Sequence, residues 1–315
     1  MGLTRRTALA GAAAATAALL LRPLAGAAEE APWAVASIKP IHSLLSGVMA
    51  GVGTPALLVK GYASPHSYAL KPSDAALLEQ ARILFWVGPA LERFLMRPLE
   101  TLGADADLVE LLQTDGLTRF AVRQGGLWQA HQHAEPLTAA DTGTTVDGHI
   151  WLDPVNAKAI VRRMALELSA VDPERAPRYA ENAEALGRRL DALDAELAAT
   201  LAPVAARPFI VFHDAYQYFE ARYGLTGAGS ITLDPDQPPG AERLAAIQAR
   251  LAGEGAVCIF HEPQFPTALI ETVTRGTDAR IGELDPEGAA LADGPELYFS
   301  LLRNIAAALA GCLGG

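Results

Sequence analysis

The sequence lacks, beyond its N-terminus, any uninterrupted apolar run near the roughly 18 residues that a membrane-spanning helix needs. An uncharged, Ala- and Leu-rich run, residues 7–21, lies directly behind Arg5 and Arg6. The small residues Ala25-Gly26-Ala27 follow as a cleavage signal, so residues 1–28 are predicted to be an export signal peptide. A twin-arginine route and ordinary Sec export both fit this pattern. We therefore expect a periplasmic mature chain without a transmembrane segment.

Positive charge is also scarce, since 25 Lys and Arg face 36 Asp and Glu and give a net charge of −11. Removal of the signal takes away three arginines and no acid, so the mature chain is more negative still. Such a surface repels nucleic acid and anionic membranes, and it draws cations toward clefts. No nucleic-acid partner is expected.

Motifs of familiar hydrolases are missing. The sequence has no HExxH-like arrangement that would set a general base beside a metal ligand, and no nucleophile elbow. These absences argue against a hydrolase and favour a binding protein.

Cysteine is limited to two residues, Cys258 in the apolar run AVCIF and Cys312 near the C-terminus. In an exported protein an even count favours a disulfide, which would tie the last helix to a core strand. The alternative is that Cys258 is a buried apolar residue and Cys312 a free thiol.

Short apolar runs alternate with amphipathic stretches along the whole chain. Predicted strands are 33–38, 55–60, 82–88, 208–213, 229–233, 256–260 and 279–284. Predicted helices include 41–50, 73–80, 89–102 and 295–311. This alternation is typical of parallel sheets covered by helices. We predict an α/β fold of two lobes, each a mostly parallel sheet flanked by helices.

A single long helix is predicted to join the two lobes. Residues 173–204 carry apolar side chains at steps of three and four that form one helical face: Tyr179, Ala183, Leu186, Leu190, Leu193, Leu197 and Leu201. Such a rod would limit hinge motion between lobes at 29–172 and 205–315. It could instead be a surface helix of one lobe. Residues 124–148 show no apolar period and are predicted to be a mobile loop.

Three histidines occur at boundaries between predicted elements. His66 lies in SPHSY after a strand, His149 precedes the Asp-Pro helix start in GHIWLDP, and His213 ends the strand in VFHDAY. Asp285 ends a strand in ELDPEG, where an N-cap role is the competing interpretation. Open α/β sheets place ligand groups at strand ends. Three imidazoles with one carboxylate suit Zn²⁺, although Cu²⁺ binds such donors more tightly and Mn²⁺ prefers more oxygen.

The other histidines fit a metal site less well. His42 lies early in a helix and is interpreted as structural. His261, beside Glu262, is interpreted as a structural residue or as a partner of a ligand. His131 and His133 lie in the predicted loop and could hold a metal only weakly.

Seven motifs occur in a fixed order along the chain: SPHSYALKPSD, ILFWVGPALERFL, HIWLDP, FIVFHDAYQYFE, PGAERL, FHEPQF and ELDPEG. With these motifs the chain resembles, from about residue 33 to 313, the zinc-binding branch of the cluster A-I solute-binding proteins of ABC importers. It implies two α/β lobes joined by a rigid helix, with zinc in the cleft and delivery to a membrane permease. It also implies ligation by His66, His149 and His213, with Asp285 as a fourth ligand or as a neighbour of a bound water.

Several details of the resemblance bear on the metal. The manganese branch typically has Glu at the third position, so His213 favours zinc. The two cysteines fall where zinc-binding relatives carry a disulfide. The long His- and acid-rich loop of many zinc members is reduced here to His131 and His133, and His261 stands where the family usually has another residue.

The leading hypothesis is therefore a monomeric extracytoplasmic protein, and not an enzyme, that captures Zn(II) between its lobes for an ABC permease. Binding should weaken as pH falls, because protonated imidazole cannot ligate. The alternative is a zinc-dependent hydrolase with three histidines and an open water position. A third hypothesis is a surface adhesin whose binding to its partner does not change when the three histidines are mutated.

Overall fold

The computed structural model describes residues 33–103, 105–123, 146–233, 235, 239–253 and 257–315. The predicted export signal, residues 1–28, and most of the predicted loop at 124–148 lie outside the described residues. The end of that loop, residues 146–148, is described and buried. Val146 pairs with Ala121 in an isolated antiparallel bridge, which explains why this end is held in the protein interior.

The first half of the chain forms a four-stranded parallel sheet in the order β2-β1-β3-β4. Its strands are β1 Ala34–Ala36, β2 Ala56–Leu57, β3 Ile83–Trp86 and β4 Asp107–Glu110. The first three were predicted from sequence, whereas β4 was not. It is an edge strand with two acidic residues, and only Val109 is buried, so it lacks an apolar run.

The second half forms another four-stranded parallel sheet, in the order β6-β5-β7-β8. Its strands are β5 Phe209–His213, β6 Gly227–Thr232, β7 Cys258–His261 and β8 Arg280–Glu283. Each was predicted within a few residues. The predicted fold class, two parallel sheets flanked by helices, is confirmed.

Nine α-helices accompany the sheets in the described part of the chain. They are α1 Lys39–Val48, α2 Pro72–Gln80, α3 Met96–Thr101, α4 Pro154–Val171, α5 Ala176–Leu201, α6 Gln217–Tyr223, α7 Ala241–Gly253, α8 Ala268–Thr274 and α9 Leu297–Gly314. The helix predicted at 89–102 is shorter: a single 3₁₀ turn at Arg93–Leu95 precedes α3. The preceding Gly88 has φ 139°, a backbone conformation that begins a loop and not a helix.

The long helix α5 has 26 residues, which corresponds to roughly 39 Å at 1.5 Å per residue. Its buried side chains are the seven that the sequence period predicted: Tyr179, Ala183, Leu186, Leu190, Leu193, Leu197 and Leu201. The helix packs against α4 and α1 from the first half and against α9 from the second. The main apolar core therefore runs without interruption through both halves of the chain.

Helix α9 is the one helix among the described residues that is long and apolar enough to cross a membrane. No such helix was predicted beyond the N-terminus, and Arg303 and Asn304 do interrupt the apolar run of α9. Half of the helix is buried inside the protein, through Leu302, Ile305 and Leu309 among others. On its outer side Arg303 pairs with Glu196 of α5. These contacts are those of a core helix.

A disulfide joins Cys258 on β7 to Cys312 on α9, with Cα atoms 6.2 Å apart. The predicted pairing is therefore present, and neither cysteine is free. The bond attaches the last helix to a central strand of the second sheet.

Candidate metal centre

The three predicted histidines converge on one point. Nε2 of His149 lies 3.4 Å from Nε2 of His66 and 3.2 Å from Nε2 of His213. The ligand atoms of all three lie within 4.8 Å of one another. His66 comes from the loop between β2 and α2, His149 from the turn before α4, and His213 from the end of β5. Both halves of the chain thus supply nitrogen donors to the same small volume.

The ring of His149 is held by Asp147, two residues earlier. Nδ1 of His149 donates to Oδ1 of Asp147 at 2.7 Å, and the backbone N–H of His149 donates to the same oxygen at 3.0 Å. Because the proton sits on Nδ1, the lone pair of Nε2 is free to bind a metal. The spacing Asp-Gly-His is the sequence signal for this contact, but sequence reasoning did not assign it.

The ring of His213 is held by Glu262 in the same way. Nδ1 of His213 lies 2.7 Å from both carboxylate oxygens of Glu262, which is almost fully buried. Glu262 follows β7, and β7 lies next to β5 in the sheet. The sequence analysis noted Glu262 only as the neighbour of His261. The strand order, which the sequence does not reveal, turns it into a partner of His213.

Two of the rings have shifted pKa values in the metal-free protein. Burial, the two neighbouring imidazoles and Arg93 lower the pKa of His66 well below its ordinary value. Burial also opposes protonation of His213, but the charge and hydrogen bond of Glu262 outweigh it and raise the pKa of His213. His66 therefore stays neutral and ready to ligate, while a metal must compete with a proton at His213.

Asp285 does not belong to this group of donors. Its Oδ1 accepts from Nε2 of Gln264 at 2.8 Å and from the backbone N–H groups of Glu287 and Gly288. Its Oδ2 accepts from the N–H of Ala289 at 2.6 Å. The carboxylate is thus engaged in ordering the turn that follows β8.

The remaining histidines lie apart from the centre. His42 is buried in α1, and its Nε2 contacts the carbonyl oxygen of Pro55 at 3.1 Å. Burial lowers its pKa, so it is a neutral core residue. His261 lies 3.9 Å from Glu283 and outside the three-histidine group. His131 and His133 lie outside the described residues.

A small cleft opens beside the cluster. It has a volume of about 240 Å³ and is lined by His66 and His149 together with Arg93, Arg123, Asp147 and Asp214, among others. The donor set of three neutral nitrogens with carboxylate partners suits tetrahedral Zn²⁺.

The fold and the site together define a class: a two-sheet α/β binding protein that brings metal-binding imidazoles from both halves of its chain to one cleft. The family model described as "Zinc-uptake complex component A periplasmic" matches residues 34–312. The chain therefore belongs to the family of periplasmic zinc-uptake components.

Individual relatives agree with this assignment. The high-affinity zinc uptake system protein ZnuA of Brucella abortus (strain 2308) is 47% identical over 303 residues, covering 89% of this chain and 91% of the relative. A crystal structure of ZnuA is 27% identical with a TM-score of 0.75, covering 90% of this chain and all of the other. The Mn²⁺ complex of FpvC from Pseudomonas aeruginosa has the same TM-score, 0.75, over 90% of this chain and 99% of its own. At 20% identity it shows the fold alone. Neither of the two ZnuA relatives is described as a hydrolase.

Proposed function

We propose that this protein captures Zn(II) with His66, His149 and His213 and delivers it to the ABC permease of a zinc importer. It acts in the periplasm as a monomer, after export directed by residues 1–28 through the Sec or twin-arginine route. The observation that carries the proposal is the convergence of three Nε2 atoms from both halves of the chain. Membership of the zinc-uptake family supports it.

Capture couples zinc to proton release. The carboxylates of Asp147 and Glu262 hold the Nδ1 protons of His149 and His213, so both Nε2 atoms point at the metal. Zinc displaces the proton that His213 would otherwise bind, so the affinity of the site for zinc falls as pH falls. Asp285 lies outside the three-histidine group, and its carboxylate accepts four hydrogen bonds, three of them from the turn after β8. The fourth position therefore goes to a water molecule in the cleft.

Three imidazoles favour zinc over manganese, because Mn²⁺ prefers oxygen donors and a higher coordination number. The cluster contains no carboxylate in its group of donors. Cu²⁺ would bind these nitrogens more tightly than zinc, so selection between them depends on the metals available in the compartment.

Isothermal titration of the metal-free protein with Zn²⁺ tests the proposal. We expect one site of submicromolar affinity, with weaker zinc binding in His213→Ala and weaker binding as the buffer is acidified. His261→Ala is the matched control, because His261 ends β7 but lies outside the cluster, and the variant should bind zinc like the wild type. No submicromolar binding, or binding unchanged in His213→Ala, would refute the proposal.

A further inference from the structure

Two segments that flank residues 124–145 lie side by side next to the metal centre. We call residues 120–123 and 146–147 the stem. Ala121 and Val146 form an antiparallel bridge, and the N–H of Asp147 donates to the carbonyl oxygen of Phe120 at 2.8 Å. Because Asp147 holds the ring of His149, the position of the stem sets the position of a proposed ligand.

The stem is docked on α6, which belongs to the second half of the chain. The hydroxyl of Tyr218 accepts from the N–H of Phe120 at 3.2 Å and donates to the carbonyl oxygen of Asp147 at 2.8 Å. With its amide turned to satisfy both groups, Gln217 donates to Oδ2 of Asp147 and to the carbonyl oxygen of Ala121. One helix thus contacts both sides of the stem.

Arg123 adds a buried ionic contact to this docking. Its guanidinium lies 2.6 Å from Oε2 of Glu220 on α6 and 3.6 Å from Oδ1 of Asp214. The three side chains are only 10%, 4% and 6% exposed. Asp214 directly follows His213. One cation therefore links the stem that orients His149 to the residue next to His213, and little solvent screens the contact.

We propose that Arg123 is a positioning residue that holds the His149 side of the centre against the His213 side and slows the release of zinc. This inference rests on the proposed function. A buried ion pair with a charge-assisted hydrogen bond, such as that of Arg123 with Glu220, resists separation, and loss of one partner leaves the other buried and uncompensated. Separation of the two histidines requires that the Arg123 contacts break. The contacts should therefore affect the dissociation rate of zinc more than its association rate.

The test is stopped-flow transfer of zinc from the loaded full-length protein to an excess of a chromogenic chelator. For Arg123→Gln we expect release roughly tenfold faster than in the wild type, with one zinc still bound per chain. Arg123→Lys keeps the charge but not the forked geometry, so this variant should release zinc faster than the wild type and more slowly than Arg123→Gln. Glu220→Gln breaks the same contact from α6 and should also accelerate release.

Arg222→Gln is the matched control. Arg222 also lies on α6, but it pairs with Asp194 of α5 and, at 3.9 Å, with Asp153 before α4, neither of which belongs to the stem. The Arg222→Gln variant should release zinc at the wild-type rate. Wild-type release rates in both Arg123→Gln and Glu220→Gln, or equal acceleration in Arg222→Gln, would overturn the inference. Failure of the wild type to bind zinc at all would instead refute the proposed function, so the two failures are distinguishable.

Discussion

The three imidazoles differ in how their second nitrogen is held. His149 and His213 each have a buried carboxylate at Nδ1, whereas no hydrogen bond to Nδ1 of His66 occurs among the described residues. A carboxylate partner raises the basicity of an imidazole and fixes its orientation. His149 and His213 thus form a rigid pair of donors from the two halves, and His66 completes the set from a loop.

Glu92 is another buried acid, and it should make stability depend on pH. Burial raises its pKa to about 7, although the N–H of Gly88 donates to its carboxylate at 2.9 Å. The folded state then keeps a proton that the unfolded state has lost, so stability falls as pH rises from about 4.5 to about 7. The substitution Glu92→Gln removes the titrating carboxyl and therefore this loss of stability. Above pH 7 we expect the metal-free variant to be more stable by up to roughly 3 kcal/mol.

Urea unfolding of the metal-free proteins between pH 4.5 and 8 measures this difference. Glu174→Gln is the control, because Glu174 is exposed in the turn before α5 and its substitution should give no such slope. A stability difference between wild type and Glu92→Gln that is constant over this range would contradict the assignment.

At the scale of single elements, α5 packs against helices of both halves of the chain, so its apolar face should stabilise the whole fold. Leu190 is fully buried at the centre of its apolar face, so Leu190→Ala should cost about 2–5 kcal/mol of unfolding free energy. Leu166→Ala on α4 is the matched control, since Leu166 is 69% exposed and its loss should cost less than about 0.5 kcal/mol. Chemical denaturation measures both. Equal costs would show that α5 is not a core element.

The disulfide between β7 and α9 should also stabilise the protein. Its cysteines are 54 residues apart, and closing a loop of that length in the unfolded chain is worth about 4 kcal/mol. We expect the double variant Cys258→Ala, Cys312→Ala to be less stable than the oxidised wild type by about that amount. Reductant should lower the stability of the wild type toward that of the variant and leave the stability of the variant unchanged. Equal stability without reductant would contradict the expectation.

The elements that sequence reasoning predicted well are those with a strong apolar period. The buried face of α5 and seven of the eight strands follow directly from such patterns. Strand β4 was missed because, as an edge strand, it has only one buried residue and therefore little periodic signal. Helix α3 was predicted too long, because the chain forms a loop at Gly88 before the helix begins. Local pattern predicts an element only where one face of it is continuously buried.

The candidate metal site likewise combines residues that local patterns could identify with contacts that they could not. His66, His149 and His213 were identifiable because each ends or begins an element. Glu262 was not identifiable as a partner, because its contact with His213 depends on β7 lying next to β5. Asp285 was predicted as a donor by position, and its hydrogen bonds to the turn after β8 could not be predicted from sequence. Contacts between elements follow from topology, which the linear sequence does not display.

At the scale of the whole molecule, the two sheets share one apolar core and a long helix that contacts both halves. The proposed centre lies where the halves meet, with His66 and His149 before α5 and His213 after it. Zinc binding therefore depends on the relative position of the two halves, which the core, α5 and the stem contacts maintain.

X-ray absorption spectroscopy at the zinc K-edge tests this account most directly, on wild-type protein loaded with one zinc. We predict three imidazole nitrogens at about 2.0 Å and one oxygen from water. His66→Ala and His213→Ala, one from each half, should each lose one imidazole contribution. A spectrum with fewer than three imidazoles in the wild type, or one unchanged in either variant, would contradict the convergence of the two halves on a single metal ion.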